Sequence, residues 1–254
     1  MKKVSVIIPT FNREKQVCRA IRSVMYQTYA DFEIIVIDGG STDGSVSIVK
    51  NFEQYIDFWE SQPDRGIYHA WNKAISHSHG KWICFLGADD YFRDTQVLSA
   101  FIPHLLQAGK SGIRVVYGRV AQVTCHGELL KYIGKPWPRI KWQMRHGMPL
   151  PHPGLMHHSS LFDEYGLFDE SFSISGDYEF LLRVLITGKA SFIPDLCSVH
   201  QQIGGISHAR NLLAHREVSR ARVKNGLPAV TWAWLLVYFR AIIRHFWKQI
   251  RPCR

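Results

Sequence analysis

A chain of 254 residues with 46% hydrophobic and 20% charged content is long enough to bury a core and too apolar to be disordered. Its formal charge of +10 is uneven: residues 1–209 carry 21 Lys/Arg against 20 Asp/Glu, and residues 210–254 carry 10 against the single acid Glu217. Five scattered cysteines with no C-x-x-C pair exclude a zinc ribbon and a disulfide framework, and favour a reducing compartment.

The N-terminal MKKVSVIIPTFN sets a short apolar run between two lysines and Pro9. It is too short for the apolar region of a signal peptide and reads as a first strand over residues 4–8. Val17, Ala20, Ile21, Val24 and Met25 recur at helical spacing within residues 13–29. Residues 33–37 predict a second strand, closed by Asp38 and the turn GGSTDGS. A helix over 45–52, an extended piece over 58–61 and a helix over 66–78 follow. Then KWICFLGADDY runs an apolar strand into Gly87, Asp89 and Asp90. This alternation predicts an α/β fold, a mostly parallel central sheet flanked by helices. After a helix over 95–106, residues 115–124 and 129–133 alternate about His126-Gly127 as a hairpin added to the sheet. Residues 135–154, rich in proline, tryptophan and basic side chains, predict a long loop of the kind that is functional or mobile. Residues 176–185 predict a helix.

Ligands of open α/β sheets bind beyond the carboxyl ends of the strands. Thr10 and Asn12 follow the first strand, Asp38 the second, and Asp89 and Asp90 a third, so parallel strands bring them to one edge. Two adjacent carboxylates there suit Mg²⁺ or Mn²⁺ and, with it, a phosphate; a plain surface turn is the alternative. Asp38 can accept from a ribose hydroxyl or a base N–H beside Gly39, Gly40 and Gly44, or it can cap its own turn. Neither G-x-G-x-x-G nor G-x-x-x-x-G-K-[ST] occurs, which leaves a dinucleotide fold and a P-loop unsupported. In DRGIYHAWNK, Arg65 and Lys73 either face phosphates near a helix start or are solvated helix residues. Asp177 and Glu179 stand two apart at another helix start, so they point in different directions; dipole complementation is the alternative to catalysis. His152, His157 and His158 fit no zinc spacing. His200, after the apolar stretch 192–199, is the candidate to join Asp90 at a metal.

Together, VSVIIPTFNR, the strand ending in Asp38 with GGSTDGS, DRGIYHAWNKAI, GKWICFLGADD, HPGLMHHSSLFDEYGLFDESFSISGDYEFLLR and QQIGGIS resemble family-2 glycosyltransferases of the GT-A type. The resemblance covers roughly residues 3–208 and is nearest to bacterial enzymes that build capsule, exopolysaccharide or O-antigen units. It implies Thr10, Asn12 and Arg13 at the donor-site rim, Asp38 at the base or ribose, and Asp64 and Lys73 at the nucleotide-sugar pocket. Asp89 and Asp90 match the family's D-x-D element, whose first position here is Ala88, with Asp90 the direct ligand of Mn²⁺ or Mg²⁺. Asp177 matches the general base, and Gly176 stands where the family has an acid. The implied activity is inverting transfer of a hexosyl or N-acetylhexosaminyl group from a nucleotide-sugar, a UDP-sugar before a GDP-sugar. The implied acceptor is a saccharide on a polyprenyl diphosphate. Two other readings are a nucleotidyltransferase, which lacks its Gly-rich N-terminal loop here, and a nucleotide-sugar-binding protein without transfer activity, against which the four acids argue.

Residues 227–239 are apolar for 13 positions before Arg240, short of the roughly 20 that span a bilayer. On a helix, Arg240, Arg244, Lys248 and Arg251 share one face, opposite Trp232, Leu235, Phe239, Ile242, Phe246 and Ile250. That predicts a helix lying on the cytoplasmic face of the cytoplasmic membrane, hence a peripheral protein. The alternative is an apolar face packed on the catalytic domain or on a second subunit of a homodimer. Nucleic acid is the poorer fit, because the aromatic residues lie opposite the basic ones. The expected division is a catalytic domain over 1–209 and a basic helical region over 210–254.

Overall fold

The structure, a computed structural model, describes residues 4–204, 211–231 and 235. The amphipathic face expected at the C-terminus lies, Leu235 apart, outside the described residues.

Four parallel strands form the first half of the sheet: β1 (Val4–Thr10), β2 (Phe32–Asp38), β3 (Phe58–Ser61) and β4 (Trp82–Phe85), in the order β3-β2-β1-β4. Every residue of β1 is buried, as expected of a strand covered on both faces by helices. Alternate side chains feed two cores. Val6, Ile8, Ile34 and Val36 pack with α1 (Glu14–Met25), α2 (Ser45–Asn51) and α4 (Val97–Lys110). Ile7, Ile35 and Ile37 pack with α3 (Ile67–Ser76) and α7 (Gly176–Leu185) on the other face. The period-2 side-chain alternation of the strands is what divides the two layers.

The second half of the sheet is mixed. It adds β5 (Tyr91–Phe92), β6 (Val115–Val123), β7 (Leu129–Ile133), β8 (Met156–His158) and β9 (Ala190–Gln202). β8 is antiparallel to both β4 and β6, β9 runs parallel to β6, and β5 pairs antiparallel with the end of β9. The expected hairpin is present as β6–β7, but β6 is an interior strand and not an addition at the edge. Residues 135–154 are also more ordered than their composition predicts. They hold α5 (Trp137–Ile140) and a 3-10 turn, Lys141–Arg145, pinned by buried Trp137, Ile140 and Met144. A short helix, α6 (Ser160–Tyr165), leads from β8 toward α7.

The basic segment begins inside this architecture. α8 (Asn211–Lys224) places Ala221 in the α3–α7 core, and Lys224 pairs with Asp169 at 2.7 Å and with Glu179 at 3.2 Å. The domain packing therefore continues past residue 209. Among the described residues no helix is long and apolar enough to cross a membrane.

Candidate active site

β1, β2 and β4 are parallel, so their carboxyl ends share one edge, and four loops meet there. The loop after β1 is stitched to the loop after β2. Asn12 adopts a left-handed φ of +51°, a region Asn tolerates better than most residues. Its backbone N–H donates to Ser41 Oγ at 2.8 Å, and its Oδ1 accepts from the Thr42 amide at 2.9 Å. The Arg13 amide donates to Ser45 Oγ at 2.8 Å. Thr10, the last residue of β1, is buried with a hydroxyl that has no partner among the described residues.

Asp38 is 1% exposed, and its carboxylate accepts from the Gly40 amide at 3.0 Å, the Ser41 amide at 2.8 Å and Ser61 Oγ at 2.7 Å. Its turn-capping role is therefore real in this structure. A ribose or base N–H would have to compete with the serine hydroxyls. Asp64 lies immediately beside it: a Cβ on Gly39 would stand 2.6 Å from Asp64 Oδ2, so only glycine admits that carboxylate. Asp64 Oδ1 accepts from the Gly66 amide at 2.8 Å, holding the turn that opens α3. Lys73 is placed differently from a bare phosphate ligand. It pairs with Glu60 of β3 at 2.9 Å, with both side chains about three-quarters buried.

Asp89 and Asp90 converge over Gly87. A Cβ at Gly87 would meet Asp89 Oδ1 at 3.0 Å and Asp90 Oδ2 at 3.2 Å. The end of β9 closes over them, with the Gln202 amide donating to Asp90 Oδ1 at 3.1 Å and Arg19 bridging the Asp89 carbonyl and Gln202 Oε1. Burial first, then the adjacent Asp89 charge, pushes the Asp90 carboxyl well above the usual carboxylate range, and the Gln202 amide only partly opposes this. Two convergent oxygens, one of them strained by like charge, fit a hard divalent cation. His200 is not brought into that group. Its ring meets Tyr91 edge-on at 5.1 Å, and among the described residues no three His, Cys, Asp or Glu side chains form a metal-holding set. His152 stacks on Trp71 and Phe85, His157 meets Phe85 edge-on, and burial pushes His152 down to about 3.

The fourth loop carries Asp177 at the first turn of α7. Loss of hydration pushes its carboxyl up to about 6, and the nearby Glu217 charge adds to that. The Tyr178 amide (2.8 Å) and the Tyr68 hydroxyl (3.3 Å) donate to Oδ1 and pull the other way. A carboxylate with a pKa near 6 is suited to general-base work near neutrality. Glu179, by contrast, is fully buried and paired with Arg183 at 3.0 Å and Lys224, so the two acids do point apart. The glycine before Asp177 also has a reason: a Cβ at Gly176 would stand 2.8 Å from the Tyr68 ring, which occupies that space.

Sequence reasoning missed Tyr68 and Glu217. Tyr68 joins α3 to the start of α7, its hydroxyl donating to the Ile174 carbonyl at 2.6 Å and to Asp177. Glu217 of α8 is buried and accepts from the Ser173, Ile174 and Ser175 amides, each at 2.8 Å, so it holds the loop that presents Asp177. The one available signal was a lone acid in a basic segment.

This edge thus carries paired acids, a rim of stitched loops and a raised carboxylate on a separate helix. Residues 5–155 match the model of glycosyl transferase family 2, and the chain belongs to that family. It is 32% identical over 185 residues to an uncharacterized glycosyltransferase of Mycobacterium tuberculosis, covering 72% of this chain and 69% of that one. It is 34% identical over 122 residues to the GalNAc(5)-diNAcBac-PP-undecaprenol beta-1,3-glucosyltransferase of Campylobacter jejuni, covering 46% of this chain and 38% of that one. Solved structures show the same GT-A fold. S. aureus TarS (residues 1–349) in complex with UDP-GlcNAc superposes with a TM-score of 0.67 at 19% identity, over 86% of this chain and 66% of that one. The mannosyltransferase PcManGT of Pyrobaculum calidifontis in complex with GDP-Man and Mn²⁺ gives 0.66 at 18% identity, over 94% and 68%.

Proposed function

We propose that the protein is an inverting glycosyltransferase that moves a sugar from a nucleoside-diphosphate donor, a UDP-sugar first, to a lipid-linked saccharide in bacterial surface polysaccharide assembly. The observation that carries this reading is the pairing of a carboxylate raised to about 6 at Asp177 with convergent acids at Asp89 and Asp90 on one sheet edge. The C. jejuni relative, whose name specifies an undecaprenol-linked acceptor, supports the choice of acceptor.

Thr10, Asn12 and Arg13 form the donor rim, while Asp38 and Asp64 meet the nucleoside. Asp90, with Asp89, would hold Mn²⁺ or Mg²⁺, which when bound neutralises charge on the leaving diphosphate. Asp177 accepts the proton of the acceptor hydroxyl as that oxygen attacks the anomeric carbon, and the displaced nucleoside diphosphate leaves from the opposite face. Tyr68 orients Asp177 Oδ1. Donor-dependent release of nucleoside diphosphate, measured over a panel of nucleotide-sugars with a membrane lipid extract, tests the reading. Release that requires the extract supports it, and a panel with no release removes it.

Asp90→Asn should abolish most of this turnover, and a chelator should reproduce the loss in the parent; full turnover in excess chelator would take the metal out of the account. We further propose that the C-terminal residues attach the protein to the cytoplasmic membrane face, each surface Lys or Arg contributing about 1 kcal/mol on an anionic leaflet. In a flotation assay the full chain should rise with anionic vesicles and a chain ending at residue 230 should not. A truncation that instead changes oligomeric mass would favour the homodimer role.

A further inference from the structure

A groove of about 510 Å³ lies between β7, α5 and the start of β9, and three cations line it: Arg119, Lys135 and Arg139. No acid lines it, and none of the three side chains forms an ion pair among the described residues. Three like charges around one concavity repel each other unless an anion sits among them. The walls between them are apolar, formed by Tyr132, Pro136, Phe192 and Pro194.

The groove is built into the backbone. Gly134, at a φ of +109°, turns the chain flat against β6, where a Cβ would stand 3.0 Å from the Gly118 carbonyl. The Tyr117 hydroxyl then fixes Lys135 by donating to its carbonyl at 2.7 Å. On the other side, Tyr117 pairs with Phe192 but Arg119 pairs with Cys197, so residues 193–196 bulge from β9 and push Pro194 into the wall. The far wall continues from Ile140 and Gln143 to Met144, whose carbonyl accepts from Tyr178 at 2.7 Å, one residue from Asp177. That hydrogen bond ties the segment lining the groove to α7, the helix that carries Asp177. Its flank is apolar and open to solvent: Leu130 and Tyr132, on one face of β7, are 50% and 56% exposed, and Trp142 is 58% exposed.

We propose that this groove binds the diphosphate of the lipid-linked acceptor, with the lipid chain leaving over Leu130 and Tyr132. The assignment rests on the transferase reading for its meaning, while its test does not. Isothermal calorimetry with UDP saturating the donor site would use farnesyl diphosphate, inorganic pyrophosphate and farnesol as probes. Farnesyl diphosphate should bind, pyrophosphate should bind more weakly for want of an apolar part, and farnesol should not saturate. In Arg119→Ala/Arg139→Ala the affinity for farnesyl diphosphate should fall on the order of 10²-fold, the scale of two lost charge-assisted contacts. Both arginines are exposed and outside the donor rim, so UDP binding should be unchanged and reports an intact fold.

Unchanged farnesyl diphosphate binding in the double variant would overturn the proposal. Pyrophosphate binding as tightly as farnesyl diphosphate would also overturn it, since the site would then be one for free phosphate. Binding of phosphatidylglycerol vesicles without binding of farnesyl diphosphate would make the patch a membrane-facing surface and equally overturn it. If the groove binds through Arg119 and Arg139 while no nucleotide-sugar turns over, the groove stands and the transferase reading falls; turnover with no such binding gives the reverse.

Discussion

Asp177→Asn should lower turnover on the order of 10²–10⁴-fold, the range for a lost general base, with donor affinity nearly unchanged. The carboxyl of Asp177 is held at about 6 by burial and by the Glu217 charge. A base must be ionised to accept a proton, so the sign is fixed: kcat/KM should fall about tenfold per pH unit below about 6 and level off above it. The asparagine variant should show a residual rate with no such acid limb. A parental rate in Asp177→Asn would leave the account without a base. Glu179 is not available to replace it, because Arg183 and Lys224 already hold it.

Glu217→Gln should be the most damaging change outside the site. Glu217 Oε2 accepts from both the Ile174 and Ser175 amides, and Oε1 accepts from the Ser173 amide. A glutamine turns an N–H₂ toward one of those sets of donors. Each buried amide left without an acceptor costs roughly 1–3 kcal/mol, so a loss of about 3 kcal/mol is expected. For a chain of this size that is a drop of roughly 6–12 °C in Tm by calorimetry. A purely structural role would stop there. Because the Glu217 charge also raises the Asp177 carboxyl, its removal should move the acid limb of kcat/KM below about 6, with kcat reduced and the donor KM unchanged. A variant with lowered Tm and an unmoved limb would reduce Glu217 to a packing residue.

The parts of this architecture that could be read in the sequence are those made by local pattern. β1, β2 and β4 are continuous apolar runs because helices cover both faces, and α1 buries Val17, Ala20, Ile21 and Val24 at the spacing the sequence shows. Parallel pairing then sends Thr10, Asp38, Asp89 and Asp90 to one edge without further information. β8 escaped detection because it is three residues long and contains His157, fully buried yet polar in type. β9 escaped because Pro194 and the bulge over residues 193–196 break its alternation. The Lys73–Glu60 pair and the Glu217 clamp depend on which helix lies beside which strand or loop; Glu217 reaches 42 to 44 positions back along the chain. Nothing local encodes such a contact. Asp38 falls between these cases: its position and its capping of the turn at Ser41 were legible, but its engagement by Ser61, 23 positions away, was not.

The proposed chemistry is a single displacement in which Asp177 activates the acceptor and the nucleoside diphosphate leaves from the opposite face. The most direct test is the anomeric configuration of the transferred sugar. Nuclear magnetic resonance of the product formed from an α-linked UDP-sugar and a prenyl-diphosphate-linked saccharide should show the proton coupling of a β-linkage. An α-linked product would contradict the mechanism, since a single displacement from the opposite face inverts the anomeric centre.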